Sequence, residues 1–224
     1  MNLELLHLCD SLFPIGGFAY SDGLETAAST GAVADAADLH AWLEAVLDDT
    51  IGRMEGPGVW HAWYAFDEGD FVALIRLDEE LTALRPSSSA RRSSRAMGLR
   101  LLTTWQALHP DPRLQRLAES ANERVVGPVL PVVFAAVCAA SGVPRRESVE
   151  AFAYTRLAAT VSAAMRLMPI GQTDAHRLLS RALARVPAVV DRLTARGGGP
   201  ESFAPTMDIA AMNQQYLHSR LFRS

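Results

Sequence analysis

The stretch DLHAWLEAVLDDT, residues 38–50, carries the pattern that decides the fold class. Its large apolar side chains recur at intervals of three and four residues, at Leu39, Trp42, Leu43, Val46 and Leu47. Because an α-helix turns once every ~3.6 residues, these side chains form an apolar stripe on one helix face. Asp35 or Asp38 can cap the helix by accepting a hydrogen bond from an unpaired N–H group. We predict an amphipathic helix whose apolar face lies in the core.

The same helical period dominates the rest of the chain, and alternating strand patterns are scarce. It recurs in five further segments, at residues 59–66, 70–85, 91–108, 148–168 and 174–193. We expect Gly56-Pro57-Gly58 to separate two helices, since glycine and proline both disfavour a helix interior. The pattern therefore predicts an all-α fold.

An almost wholly apolar run at residues 125–140 predicts a helix at the centre of the domain. We expect this helix to begin near Pro131, because proline is tolerated in a first turn. Residues 1–196 are predicted to form one all-α domain. Gly197-Gly198-Gly199 predicts a flexible hinge, and residues 197–224 are interpreted as a partner-binding tail with apolar anchors.

The composition and charge of the chain limit the classes of protein to which it can belong. The chain has 224 residues, 49% of them hydrophobic, and a formal net charge of -4, which argues against a nucleic-acid-binding protein. No apolar run is long enough to cross a membrane, and the opening MNLELLHLCD lacks the basic segment of a secretory signal. Two cysteines with no partner spacing, Cys9 and Cys138, favour a reducing, cytoplasmic location.

Several kinds of catalytic and metal site are disfavoured by the residues present. All basic residues are arginine, so a lysine-containing phosphate loop and Schiff-base chemistry are excluded. The histidines lack metal-ligand spacing, and the GxSxG pattern of serine hydrolases is absent. We therefore predict no catalytic residue, no metal site and no cofactor. A hydrolase that uses Ser21 or Cys9 is the remaining catalytic alternative.

Three groups of residues have both a structural and a functional interpretation. Gly16-Gly17 predicts a tight turn, and Ser21-Asp22-Gly23 is expected to start the next helix. Tyr20, Ser21 and Glu25 are expected to lie together on a surface patch beside the turn. Arg166 interrupts an apolar stretch, so we expect it to be partly buried and paired with a carboxylate or a carbonyl group. A further cluster is either a solvated face, a surface for an acidic partner or the source of an arginine finger: Arg91, Arg92, Arg95 and Arg100.

Four stretches, in order along nearly the whole chain, resemble the urease accessory protein F (UreF) family. The first is FPIGGFAYSDGLE at 13–25 and the second is SSRAMGLRLL at 93–102. The third is MRLMPIGQTDAHRLL at 165–179, and the fourth is the closing APTMDIAAMNQQYLHSRLFRS at 204–224. Each motif is weak alone, but four in register are specific.

The resemblance implies an all-α, generally dimeric protein without catalytic activity. Such a protein scaffolds a second accessory protein (D or H) and the GTPase UreG during nickel delivery to apo-urease. It implies an exposed N-terminal patch of Tyr20, Ser21, Gly23 and Glu25. It further implies a GTPase surface of Arg166, Gly171 and Gln172, and a D/H-binding tail that uses Pro205, Asp208, Met212, Arg220, Leu221 and Phe222.

The chain departs from the family pattern at three positions. Gln214 and Gln215 stand where the family commonly has histidine and glutamate, which puts a nickel role for the tail in doubt. His176 replaces a glutamine and adds a titratable group near the implied GTPase surface. Two functions stay open at this point: a scaffold for the GTPase, or a GTPase-activating protein that supplies an arginine.

Overall fold

The computed structural model describes residues 2–223, and every regular element within them is helical, which confirms the all-α prediction. The chain begins with α1 (Leu3–Cys9), α2 (Leu24–Ser29), α3 (Ala36–Ala45), α4 (Gly56–Asp67) and α5 (Phe71–Ala83). It continues with α6 (Ser88–Leu108), α7 (Pro112–Asn122), α8 (Leu130–Ala140), α9 (Arg145–Leu167), α10 (Gln172–Arg196) and α11 (Pro205–Asn213). Short 3₁₀ turns cover Gly17–Ala19 and Gln214–Tyr216, and a π-helical stretch covers Val46–Glu55.

Helix α8 is the centre of the single compact domain. It packs against α4, α6 and α9, and all but the last residue of LPVVFAAVCAA are buried. Helix α8 begins at Leu130 and has Pro131 in its first turn, as the sequence predicts. Phe134 meets Phe152 of α9 edge to face, with ring centroids 5.3 Å apart.

The predicted break at Gly56-Pro57-Gly58 is wrong, because α3, the π-helical stretch and α4 form one continuous rod from Ala36 to Asp67. Proline has no N–H to donate and its ring crowds the preceding turn, and the wider π turn lies directly before it. The glycines serve close packing instead. A Cβ atom on Gly58 would lie 2.7 Å from Leu81.

Two aspartates hold the backbone at or just before the start of a helix. Asp35 caps α3 by accepting hydrogen bonds from the N–H groups of Ala37 and Asp38, which confirms one of the two proposed caps. The loop before α8 is held by Asp78, whose carboxylate accepts from the N–H groups of Gly127 and Val129 at 2.8 Å each. Burial raises the pKa of Asp78 despite these two bonds.

The segment after α10 folds back over the helical body. Gly197 ends α10 in the left-handed region with φ of 65°, and α11 then packs against α2 and α6. The ends of the two predicted units, Met1 and Ser224, lie outside the described residues. The division into a domain (1–196) and a tail (197–224) stays a prediction.

Within residues 2–223 no helix combines the length and apolar character that crossing a membrane requires.

Candidate partner-binding site

The site is built from the signature segment, residues 13–25, and from the C-terminal segment, residues 201–223. Two left-handed residues, Asp22 with φ of 49° and Gly23 with φ of 91°, turn the chain sharply into α2. Helix α2 therefore begins at Leu24, directly after Ser21-Asp22-Gly23, as the sequence predicts. This turn places Glu25 in the first turn of α2, where it faces the C-terminal segment.

The side chain of Glu25 binds main-chain groups of the C-terminal segment. Its carboxylate accepts hydrogen bonds from the N–H groups of Leu221 and Phe222 and from the side-chain amide of Gln214 at 3.1 Å. Gln214 also donates to Ser21 Oγ at 3.2 Å. We call this arrangement the Glu25 clasp. Hydrogen bonds to a charged acceptor are stronger than those between neutral groups, so the clasp stabilises the docked segment.

The expected exposed patch on the signature segment is therefore wrong. Ser21, Gly23 and Glu25 are buried beneath the C-terminal segment, and Tyr20 is half-buried. The sequence departure at Gln214 also has a structural reason, since its neutral amide donates to a carboxylate. No local pattern in the sequence indicated this long-range contact.

Gly23 explains how closely α11 approaches α2. A Cβ atom at this position would lie 2.8 Å from the backbone nitrogen of Ala211, so only glycine fits without a shift. On its other side α11 contacts the first turn of α6, where Ser87 Oγ donates to the Ala211 carbonyl at 3.3 Å. Helix α11 thus lies between α2 and α6.

Arg166 joins the end of α9 to both segments. One of its guanidinium nitrogens donates to the Phe18 carbonyl at 2.8 Å, so the expected carbonyl partner is present. The expected burial of Arg166 is wrong, because the residue is exposed at the surface. Its Cζ atom lies 4.3 Å from the centroid of the buried Phe222 ring, a cation–π contact. Gly171 and Gln172 are also exposed, at the start of α10.

A chain of paired charges, buried at Glu55 and Arg85, lies under this site, and no pattern in the sequence indicated it. Arg156 donates to Asp22 at 2.7 Å and to Glu55 at 3.0 Å. The second oxygen of Glu55 accepts from Arg85 at 2.7 Å. We call Asp22, Arg156, Glu55 and Arg85 the ionic chain. Burial lowers the pKa of Arg156, but the two carboxylates outweigh it and raise the pKa overall.

The ionic chain borders a cavity of about 70 Å³ that α11 covers with Met207, Asp208 and Ala211. Burial raises the pKa of Asp208, although the nearby Arg85 guanidinium acts in the opposite direction. Asp208, expected in the tail interface, thus faces the protein interior in part.

The outer surface of the C-terminal segment is rich in exposed apolar side chains. Phe203 is 70% exposed, Ile209 58% and Tyr216 78%. Met212 and Leu221, two of the predicted tail residues, are exposed as well, as are Pro205 and Arg220. Phe222, another predicted tail residue, is by contrast buried within the chain.

Reactive groups do not converge in the described part of the chain. Burial raises the pKa of Cys9 to about 11 and that of Cys138 further still, so neither thiol ionises readily near neutral pH. Ser21 Oγ accepts from an amide and has no histidine beside it in the described contacts. Among residues 2–223 no three histidine, cysteine, aspartate or glutamate side chains group together as metal ligands.

The fold and the site define a class of protein: a helical domain in which a C-terminal segment is docked on a signature segment and exposes apolar side chains. Comparison with known proteins defines the family. A family model described as UreF matches residues 33–183. The chain belongs to the UreF family of urease accessory proteins.

Individual relatives match over almost the whole chain. A urease accessory protein UreF from Bordetella parapertussis is 34% identical, over 98% of this chain and 100% of its own length. A UreF from Methylibium petroleiphilum is 34% identical, over 99% of this chain and 93% of its own. A bifunctional urease accessory protein UreEF from Bordetella bronchiseptica is 35% identical over 98% of this chain, which spans only 51% of that longer protein.

Proposed function

We propose that this protein is a non-catalytic scaffold in urease maturation. It brings the D/H accessory protein and the GTPase UreG together for nickel insertion into apo-urease, in the cytoplasm and as a homodimer. Nickel is cargo in this proposal, and no resident metal or cofactor is assigned. Membership of the UreF family supports the role in maturation, and the relative named UreEF supports a close relation between accessory proteins.

The observation that carries the scaffold proposal is the set of exposed apolar side chains on the C-terminal segment. Ile209, Met212 and Tyr216 follow one another at intervals of three and four residues, so they line one side of α11 and the turn after it. Covering one such side chain contributes about 1.5–3 kcal/mol, and aromatic anchors dominate interface energetics. We assign this surface to the D/H accessory protein.

The predicted tail residues divide into two groups in this proposal. Pro205, Met212, Arg220 and Leu221 are exposed and contribute to the partner surface directly. Asp208 and Phe222 position the segment from beneath, as do Tyr20, Ser21, Gly23 and Glu25 from the signature segment. Arg166, Gly171 and Gln172 form a separate surface, which we assign to UreG.

A triple variant tests the D/H assignment: Ile209→Ser, Met212→Ser and Tyr216→Ser. We expect it to lose co-purification with the D/H protein, because the apolar contact is removed while the Glu25 clasp is kept. The matched control is Val72→Ser with Leu108→Ser, which removes exposed apolar side chains from α5 and α6. Deletion of residues 203–224 should also abolish binding, and full binding by either tail variant would contradict the assignment.

The alternative function is a GTPase-activating protein that supplies an arginine to UreG. Arg92, Arg95, Arg100 and Arg166 are exposed, which favours this alternative. An inserted arginine accelerates GTP hydrolysis by about 10³- to 10⁵-fold, whereas a scaffold gives little acceleration. GTP turnover by UreG, measured with the wild type and with each Arg→Ala variant, separates the two functions. Light scattering on the same wild-type sample tests the proposed homodimer.

A further inference from the structure

Helix α6 differs from the other long helices in its charge. Its sequence, SSARRSSRAMGLRLLTTWQAL, contains four arginines and no aspartate or glutamate, within a chain whose net charge is -4. Long helices on a protein surface usually mix both signs, because oppositely charged neighbours three or four residues apart stabilise the helix. An all-positive helix in an acidic protein therefore suggests a role other than helix stability.

The exposed face of α6 has an apolar centre and a basic surround. Successive residues are turned by about 100°, so Arg92, Ala96, Leu99 and Thr103 lie in one row along the helix. All four are exposed, and the Leu99 side chain is 41% exposed. Arg95 and Arg100 lie on either side of that row. The exposed side of α6 thus presents one leucine and three arginines.

The guanidinium groups of Arg92 and Arg100 are not neutralised within residues 2–223, whereas the charge of Arg95 acts on the Asp78 carboxylate and opposes the rise in its pKa. Among residues 2–223, the α6 arginines form no ion pair, although ion pairs hold many arginines elsewhere: Arg53, Arg85, Arg113, Arg146, Arg156, Arg177, Arg185, Arg192 and Arg196. Arg91 donates to two backbone carbonyls of its own chain. The guanidinium group of Arg95 lies against the backbone of Gly127. Arg92 and Arg100 remain for an external partner.

We propose that this face of α6 docks a carboxylate-rich surface of a partner protein, with Leu99 at the centre of the contact. The planar guanidinium fork matches a carboxylate in two parallel hydrogen bonds, and arginine is enriched in interfaces between proteins. The face adjoins the C-terminal segment, because Ser87 in front of α6 bonds to Ala211 of α11. One partner can therefore contact both surfaces.

A protein fits this face better than a nucleic acid does. Single-stranded nucleic acids require aromatic side chains for stacking, and duplexes require a larger excess of positive charge. The α6 face has neither, since its central exposed side chain is aliphatic and the whole chain is acidic. The footprint of one leucine with three arginines matches the apolar centre and charged rim of a protein interface.

Association kinetics with three purified probes test this inference: the D/H accessory protein, UreG and apo-urease. The variants are Arg92→Glu, Arg100→Glu and the double variant. Both side chains are exposed and form no ion pair among residues 2–223, so the fold is retained, and thermal unfolding checks this. We expect the double variant to slow association with one probe by about 10-fold and to flatten its salt dependence, because charge reversal removes electrostatic steering.

The matched control is Arg76→Glu on α5, which is also exposed and forms no ion pair in the described contacts. It should leave the association rate unchanged, and Leu99→Ser should raise the dissociation rate for the same probe. Unchanged association of the double variant with all three probes overturns the inference, as does equal slowing by Arg76→Glu. Binding of a short DNA duplex that the double variant loses, with protein binding intact, also overturns it.

The docking face rests on the proposed function, because that function supplies the three probes. Different results would contradict the docking face and the proposed function. A wild-type protein that binds none of the three probes contradicts the proposed function and this docking face together. A wild-type protein that binds while the double variant binds equally well contradicts the docking face alone.

Discussion

At the scale of single residues, glycine marks the places where backbone segments approach most closely. A Cβ atom on Gly98 of α6 would lie 1.9 Å from the carbonyl oxygen of Pro128. This contact holds α6 against the loop that leads into α8 at the centre of the core. The motif around Gly98 is thus explained by packing, with no ligand required.

Gly98→Ala is expected to destabilise the protein by at least about 3 kcal/mol, because the added methyl group meets backbone that cannot move without disturbing α8. Urea unfolding measures the change. Gly171→Ala is the control, since its Cβ atom would have only Asp174 within 4 Å, at 3.7 Å, and its φ is -67°. A Gly98→Ala protein as stable as the control would show that the close contact is absent in solution.

Residue-scale predictions from sequence succeeded where the cause was local. The cap at Asp35 and the turn before α2 depend on neighbouring residues, so they could be predicted from a short stretch of sequence. The burial of Glu25 and Gln214 could not be predicted in this way. It depends on contacts between positions almost the whole chain apart, for which the sequence holds no periodic signal.

At the scale of secondary-structure elements, the Glu25 clasp fixes the last residues of the C-terminal segment to α2. The carboxylate of Glu25 is the common acceptor for the N–H groups of Leu221 and Phe222. These groups lie outside any helix, so they have no intrahelical partner to satisfy them. One side chain of α2 thus satisfies two main-chain groups of the docked segment, in addition to the packing of α11 against α2 and α6.

Glu25→Gln is expected to weaken docking by about 1–3 kcal/mol, because a neutral amide accepts fewer and weaker hydrogen bonds than a carboxylate. The amides of Leu221 and Phe222 should then exchange with deuterium on the order of 10- to 100-fold faster. The control is Glu119→Gln, since within residues 2–223 the carboxylate of Glu119 accepts a hydrogen bond from the exposed side chain of Gln115 alone. Unchanged exchange in Glu25→Gln would rule out the clasp as the main attachment.

The pattern of apolar residues predicts which segments are helical better than it predicts where each helix begins and ends. The periodicity predicted the helices themselves, including the start of α8 near Pro131. It failed at Gly56-Pro57-Gly58, where a glycine–proline pair usually ends a helix. The π-helical turn before Pro57 and the close packing against Leu81 outweigh that tendency, and neither is visible in a local window of sequence.

At the scale of the whole molecule, the ionic chain connects parts of the fold that are distant in sequence. It links the turn before α2, the end of the π-helical stretch, the loop directly after α5 and the middle of α9. Glu55 occupies the centre and pairs with two arginines. Because the ionic chain lies directly under α11, these charged residues also support the surface on which the C-terminal segment packs.

Glu55→Gln should destabilise the whole domain by about 3–5 kcal/mol, because Arg85 and Arg156 are left as buried charges without a central carboxylate. Thermal and urea unfolding measure the loss. Glu44→Gln is the control, since the half-exposed pair of Glu44 with Arg185 is screened by solvent and contributes below about 1 kcal/mol. Equal stability of the two variants would contradict the structural role of the ionic chain.

The candidate site was predictable from sequence only in outline. The motifs indicated which segments matter, and Gly171 and Gln172 do lie at the surface, whereas Arg166 was expected to be partly buried and is exposed. The sequence could not show that the signature segment and the C-terminal segment cover each other. It also could not reveal Glu55, Arg85 and Arg156, because single charged residues in helices normally indicate a solvated face.

The unbroken rod from Ala36 to Asp67 limits how this protein can change in length during evolution. A π-helical turn carries an extra residue compared with an α-helical one. Loss of one residue between Val46 and Glu55 would therefore rotate the following helix by about 100° and turn Gly58 away from Leu81. Insertions and deletions are consequently expected in loops of homologous genes, and the length of this rod should be nearly invariant among them.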